Sequence, residues 1–241
     1  MFLARGSVIL SNLDFPLLLS NPDAVQRTIA GKTRRIYDHL ARVYPVSTYF
    51  FHSKAHRCAL EISGIRDGMQ VLEVATGSGE MFRRLVRANP NGKTIGLDLS
   101  PNMAARTQRN ARREFPKASA MCQAVDARNM PFREDMFDAV VCCYLLELLS
   151  VSDILTALHE FRRVLKRRGT FTLVLIGQNT ELFNRAYRVC GKLAPAFWGR
   201  QVEQRVPELI EATDLHIFRD RQVRQGFYPS RVLCARKGSA N

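Results

Sequence analysis

The chain lacks any long apolar run. Val8-Ile9-Leu10 and Phe15-Pro16-Leu17-Leu18-Leu19 are interrupted by Asp14 and Pro16, far short of the ~20 residues a spanning helix needs. There is no Cys-x-x-Cys and no Cys/His ligand spacing among the six cysteines, at 58, 122, 142, 143, 190 and 234. That argues against zinc or any other metal. Adjacent Cys142 and Cys143 point to opposite faces of a predicted strand and are poor disulfide partners for each other, so core thiols in a reducing compartment are the better account of the cysteines. No repeat or low-complexity tract appears, and no Gly-Lys-Ser/Thr follows a glycine turn, which excludes a Walker phosphate loop. Acidic side chains are in short supply: 22 Asp+Glu against 36 Lys+Arg give +14. The excess sits at the ends, with eight basic and three acidic residues in 1–60 and eleven against six in 181–241. Such a balance suits an anionic partner (a phospholipid surface, an acidic substrate or nucleic acid), although a merely solvated basic surface would read the same way.

What is present is a sizeable core, from 46% hydrophobic residues, organised around Val71-Leu72-Glu73-Val74-Ala75-Thr76-Gly77-Ser78-Gly79-Glu80. Apolar Val71, Leu72 and Val74 read as a buried parallel strand. Gly77 and Gly79 allow a sharp turn against which a ligand can press. Met81, Phe82, Leu85 and Val86 then have helical spacing. A strand ending in glycines before a helix N-terminus is the nucleotide crevice of open α/β sheets. Phe82 stands where a dinucleotide loop would carry its third glycine, which argues against NAD. Twenty-five residues after Glu73, Ile95-Gly96-Leu97-Asp98-Leu99 predicts a second strand ending in an acid able to accept ribose hydroxyls. Glycine turn and acid together point to an adenosine-type ligand.

Further on stand Asp126-Ala127-Arg128-Asn129-Met130-Pro131-Phe132, Phe137-Asp138-Ala139-Val140-Val141-Cys142-Cys143, and Leu158-His159-Glu160-Phe161-Arg162-Arg163-Val164-Leu165-Lys166. With these the chain resembles the class I S-adenosylmethionine (SAM)-dependent methyltransferases, over roughly residues 35–236. Within them it is most similar to the ubiquinone/menaquinone-biosynthesis C-methyltransferases and related phospholipid N-methyltransferases. Ala75 stands where many relatives carry a first glycine. Tyr37-Asp38-His39-Leu40-Ala41-Arg42-Val43-Tyr44 is similar to the family's N-terminal lid segment, with Pro45 in place of the usual Asp. Arg167-Arg168 replace the usual Pro-Gly.

The alternation of strands and helices predicts an α/β fold: a doubly wound seven-stranded sheet with an antiparallel last strand and an N-terminal helical lid. Residues 1–20 read as a flexible or membrane-contacting extension, a mis-called start being the rival reading. Residues 21–64 form the lid and 65–241 the SAM-binding domain. Strands are expected over 69–74, 94–99, 118–125, 137–144 and 170–176, with a closing hairpin of 215–223 and 227–237. Helices are expected over 47–62, 80–88, 101–114, 152–165, 181–193 and 201–213. Arg106, Arg109, Arg112 and Arg113 make a basic helical stripe.

The resemblance implies SAM as cofactor, held by Glu73, Ala75, Gly77, Gly79, Asp98, Leu99, Asp126, Ala127, Cys143 and Tyr144. Glu73 would hold the amino group, Asp98 the ribose, and Asp126 with Ala127 the adenine. Tyr37, Tyr49, Trp198 and Tyr228 are candidate substrate contacts, though as aromatics they also serve as plain packing. No catalytic base declares itself; His52, His56, Tyr144 and Glu147 lie on segments able to face the methyl, with His52 and Tyr144 the candidates. The expected reaction is methyl transfer to a hydrophobic small molecule, quinone-like or lipid. Phospholipid-amine N-methylation at an anionic membrane and a non-catalytic SAM-binding module are the alternatives. No base-binding Pro-Pro-Tyr motif or appended RNA module is present, against a nucleic-acid substrate. The expected location is cytoplasmic with peripheral membrane contact. The oligomeric state is not encoded in any motif.

Overall fold

The computed structural model describes residues 44–178, 185, 189, 202–226 and 228–238, with side chains from His52 onward. Helix α1 spans Tyr44–Ser63, and strand β1, Gln70–Val74, follows it. Then come α2 (Glu80–Ala88), β2 (Lys93–Asp98), α3 (Pro101–Glu114), β3 (Ser119–Ala124) and β4 (Phe137–Cys143). A 3-10 turn at Leu146–Leu148 leads to α4 (Val151–Val164), β5 (Leu165–Ile176), α5 (Val206–Ala212), β6 (Leu215–Gln225) and β7 (Tyr228–Lys237).

One seven-stranded sheet runs in the order β3-β2-β1-β4-β5-β7-β6. The first five strands pair in parallel, and β7 runs against both neighbours. The chain winds outward from β1 to β3, then returns to β4 on the other side of β1. This reversal opens a crevice at the carboxyl ends of β1 and β4, the place where open α/β sheets bind ligands.

Local sequence explains the elements. Helix α2 buries Met81, Phe82, Leu85 and Val86 on one stripe, each such side chain worth about 1.5–3 kcal/mol. Ser100 caps α3 by accepting from Met103 N at 3.2 Å, with Pro101 in the first turn. Helix α4 starts one residue earlier than expected because Ser150, rather than Ser152, is its cap, accepting from Asp153 N at 3.1 Å. Ala55 and Ala59 lie one turn apart on α1, and their small side chains let the helix close on the sheet beside Val71, Val141 and Val232. Cys142 and Cys143 pack into the cores on opposite faces of the sheet, as their adjacency in a strand requires.

Two boundaries differ from the sequence expectation. The Lys166–Gly169 stretch is not a free turn after α4. It lies inside β5, which pairs Phe137 with Leu165, slips, and resumes at Ala139 with Thr170. Lys166 Nζ donates to Asp138 Oδ1 at 2.8 Å, and Arg168 takes a positive φ of 62° to absorb the irregularity. Helix α5 is shorter than 201–213, since Pro207 fits only its first turn. The expected helix over 181–193 and the segments before Tyr44, including the proposed extension, lie outside the described residues. Edge strand β6 carries Arg219, Asp220, Arg221 and Arg224 on a largely exposed span, the usual protection against edge-to-edge pairing.

Candidate active site

The four strand tips facing the crevice stand in a row. The tip of β3 leads to Asp126, β2 ends on Asp98, β1 runs from Glu73 into the glycine turn, and β4 ends on Cys143 and Tyr144. Registers hold them there: Glu73 lies beside Gly96 and Val141, and Asp98 beside Ala124. With strands ~4.8 Å apart, β3 to β1 spans about 10 Å, enough for a nucleoside laid across the edge.

The turn after β1 is unusual backbone. Ala75, Gly77 and Gly79 have φ of 64°, 48° and 79°. Thr76 N donates to Leu97 O at 3.0 Å, and Gly79 N to Thr76 O at 2.8 Å, which pins the loop to β2 and to itself. Asp98 completes it: Oδ2 accepts from Gly77 N at 2.7 Å and Oδ1 from Ser100 N at 2.9 Å. The left-handed φ at Ala75 suits glycine better than alanine, which in that conformation costs about 1–2 kcal/mol. Tyr144, at the tip of β4, has a φ of 56°. Strained backbone of this kind persists where the surroundings over-determine it, and it clusters at functional sites.

Glu73 is buried at 1% exposure, and its Oε2 has no hydrogen-bond partner. Burial, reinforced by the Asp98 charge, pushes its carboxyl well above the usual carboxylate range. Glu80 Oε2 and Glu147 Oε2 are likewise buried and unpartnered. All three carboxyls act on the Cys143 thiol, which burial first and then Glu73, Cys142, Glu147 and Glu80 hold far above its ordinary value. Glu80 is paired with Arg84 at 2.8 Å, whereas Glu73 and Glu147 each bury an oxygen with no hydrogen-bond partner among the described residues. A cationic ligand would satisfy such an oxygen.

Asp126 is tied down by its neighbour. Arg128 N donates to Oδ1 at 2.9 Å, and its guanidinium to both oxygens, the closest at 2.6 Å. The same Arg128 reaches Asp153 Oδ1 at 2.8 Å. Asp126 is thereby fixed in orientation, and its four acceptor positions are shared between Arg128 and anything placed at the β3 tip. The sequence carries a signal of this in the i, i+2 spacing of Asp126 and Arg128.

On the β4 side the fold brings together residues that the sequence left scattered. His52 stacks on Tyr144 with ring centroids 4.0 Å apart and lies 5.1 Å from Tyr228. Tyr144 Oη and Ser230 Oγ share a hydrogen bond of 2.8 Å. His56 Nδ1 sits 3.7 Å from Glu80 Oε2, and Arg84 bridges Glu80 Oε1 at 2.8 Å and Ser53 Oγ at 2.9 Å, joining α1 to α2. Burial, with the neighbouring His56 charge and against the pull of Glu80, takes His52 down to about 3. At neutral pH His52 is therefore an uncharged ring and a poor base. Tyr37 and Trp198 lie outside the described residues, and Tyr49 is placed on α1 without its side chain. No group of three or more His, Cys, Asp or Glu able to hold a metal occurs among the described residues.

Known proteins match this arrangement. A family model described as a methyltransferase domain matches residues 71–169. The 2-phytyl-1,4-naphtoquinone methyltransferase of Nostoc sp. is 29% identical over 143 residues, 57% of this chain and 62% of the relative. The aligned chain thus spans less than two thirds of that relative's length. A SAM-dependent methyltransferase structure from Aquifex aeolicus superposes with a TM-score of 0.61 at 18% identity, covering 86% of this chain and 97% of that one, and so shares the fold. The demethylmenaquinone methyltransferase of Thermotoga maritima is 30% identical over 165 residues, covering 64% of this chain and 68% of the relative. The strand order, the glycine turn and the Thermotoga alignment agree: the chain belongs to the methyltransferase family that includes the demethylmenaquinone methyltransferases.

Proposed function

We propose that the chain is a SAM-dependent methyltransferase whose acceptor is a hydrophobic ring compound of the quinone type. The observation that carries this is the buried Glu73 carboxyl, its Oε2 without a partner, beside a left-handed glycine turn and in one row with Asp98. An unmatched carboxyl in that position fits the ammonium end of a methionine moiety. The relatives named as naphthoquinone and menaquinone methyltransferases supply the acceptor class.

SAM, when bound, supplies a methyl group on a cationic sulfur. The protein's tasks are then alignment and exclusion of water. Glu73 would hold the ammonium, and Asp98 would accept from the ribose hydroxyls while keeping the turn in place through Gly77. Asp126 and the Ala127 N–H would bracket the adenine edge, with Arg128 fixing the carboxylate. Leu99 would pack against the nucleoside, and Cys143 would offer an uncharged wall. His52, Tyr144 and Tyr228 form an aromatic side to the crevice, suited to a flat apolar acceptor. A neutral His52 matters there, because a protonated ring would repel a sulfonium.

The excess of positive charge fits peripheral contact with an anionic bilayer, where isoprenoid acceptors reside. Among the described residues no helix is long and apolar enough to cross a membrane. The decisive experiment is calorimetry with SAM, followed by transfer of labelled methyl into a lipid extract with its quinones reduced. Label in an isoprenoid quinone supports the proposal. Label in a phosphatidylamine makes the protein a phospholipid N-methyltransferase, and SAM binding without transfer makes it a binding module. Flotation with anionic and neutral vesicles tests the membrane contact; equal recovery with both removes it.

A further inference from the structure

Glu147 lies in the 3-10 turn just past the tip of β4, on the side of the crevice away from Asp98 and Asp126. Its exposure is 2%. One oxygen is accounted for: Oε1 accepts from Ile176 N at 2.7 Å, joining the ends of β4 and β5 beyond their last ladder pair, Cys143 with Val174. The other oxygen, Oε2, is buried and has no partner. A strand tie needs only one acceptor, and glutamine would provide it without burying a second carboxylate oxygen. Keeping an unmatched oxygen out of water is costly, so the second oxygen calls for a use of its own.

The other ionisable groups near the crevice are committed or unsuited. Asp98 holds the glycine turn through Gly77 N, Glu80 is bound to Arg84 with His56 Nδ1 3.7 Å from its second oxygen, Asp126 is bound to Arg128, and the Tyr144 hydroxyl is shared with Ser230. His52 is too weak a base. Among the described residues, the Cys142 and Cys143 thiols on β4 feel the Glu147 carboxyl together with Glu73, and Cys143 also feels Glu80.

We propose that Glu147 Oε2 is the general base that takes the hydroxyl proton of a hydroquinone-type acceptor. This rests on the methyl-transfer reading above and adds the proton path to it. The acceptor hydroxyl gives its proton to Oε2, and the electron density released reaches the adjacent ring carbon. That carbon forms the new bond to the methyl group, while the electrons of the broken carbon–sulfur bond remain on sulfur. The ring carbon then loses its hydrogen to solvent as a proton, and the ring oxygen recovers a proton from Glu147. One proton is released overall, and the carboxylate is regenerated. Burial raises the Glu147 carboxyl to about 7, against the hydrogen bonds from Ile176 N and from its own backbone N–H, which lower it. A base so placed is half ionised at neutral pH and strong enough to act on a phenol.

The test uses the full chain and the variant Glu147→Gln, whose amide oxygen can still accept from Ile176 N. With a reduced naphthoquinone acceptor, wild-type turnover should rise with pH up to about 7, and the variant should lose this limb and roughly 10²–10⁴-fold in kcat with SAM affinity unchanged. A readout independent of turnover is the binding of 4-methoxy-1-naphthol, a phenol stable to oxidation. Wild type should bind it on the order of tenfold more tightly at pH 8 than at pH 6, following the ionised fraction of the base. For 1,4-dimethoxynaphthalene, which has no hydroxyl, affinity should not change with pH. Variant turnover at wild-type rate, or naphthol binding by wild type that ignores pH, overturns the proposal. Should the variant fail to fold, the two ligands with wild type decide alone. Wild type that transfers no methyl to any acceptor refutes instead the methyltransferase reading, an outcome distinct from the others.

Discussion

The glycine turn can be broken and partly repaired from across the interface with α3. Gly79 has a φ of 79°, and a Cβ placed on it would stand 2.7 Å from Thr107 Oγ1 and 3.2 Å from Thr107 Cγ2. Gly79→Ala therefore has two costs. Left-handed backbone at alanine takes about 1–2 kcal/mol, and the crowding about 1–3 kcal/mol, for a total of about 2–5 kcal/mol. Thr107→Ala removes both contacted atoms. On its own it deletes a buried hydroxyl that has no partner, a gain of about 1–3 kcal/mol, and loses about 1 kcal/mol of methyl packing. It should leave stability about level or somewhat higher. The double variant should keep only the backbone cost, so the pair should show a favourable coupling of about 1–3 kcal/mol in a double-mutant cycle. Urea unfolding followed by circular dichroism measures all four proteins. Additive single effects would refute the contact with Thr107, and a Gly79→Ala protein as stable as wild type would refute the turn geometry altogether.

Four further outcomes are expected. Ala75→Gly relieves a positive φ worth about 1–2 kcal/mol and adds about 0.5–1 kcal/mol of chain entropy cost; urea curves should show it equal to wild type or more stable by up to about 1.5 kcal/mol, and a loss of stability would contradict the strain. Asp98→Asn turns an acceptor of the Gly77 N–H into a group that also donates, and calorimetry should show SAM binding at least about tenfold weaker; unchanged affinity would take Asp98 out of the site. Glu147 holds its proton more tightly when folded, up to about 7 against 4.5 unfolded, so its contribution to stability is full below pH 4.5 and disappears as pH rises through 7, about 3 kcal/mol in all. Glu147→Gln should accordingly gain on wild type between pH 5 and pH 8, and a difference independent of pH would mean the carboxyl titrates normally. Cys142 and Cys143 are held protonated by burial, so a disulfide exchange reagent at pH 8 should label them only on unfolding; rapid labelling of native protein would show that β4 opens.

Much of this was legible in the chain itself. The alternation of apolar runs with helical stripes determined the strand and helix order, because periodicity follows directly from which face is buried. Helices α2 and α3 begin and end at the expected residues, since glycine, Ser100-Pro101 and Asn89-Pro90 are local signals that need no tertiary contact. Glu73 and Asp98 were identifiable as strand-end acids for the same reason. Tertiary structure decided the rest. The Lys166–Arg168 stretch became part of β5 because Asp138 on the neighbouring strand holds Lys166 and the ladder resumes at Thr170. No local pattern could show that His52, Tyr144 and Tyr228, drawn from three separate elements, meet at one corner. Nor could it show that Glu147, one glutamate in an apolar stretch, keeps one oxygen on Ile176 and the other unmatched. Burial and orientation depend on what packs from far along the chain, and only the folded molecule supplies that.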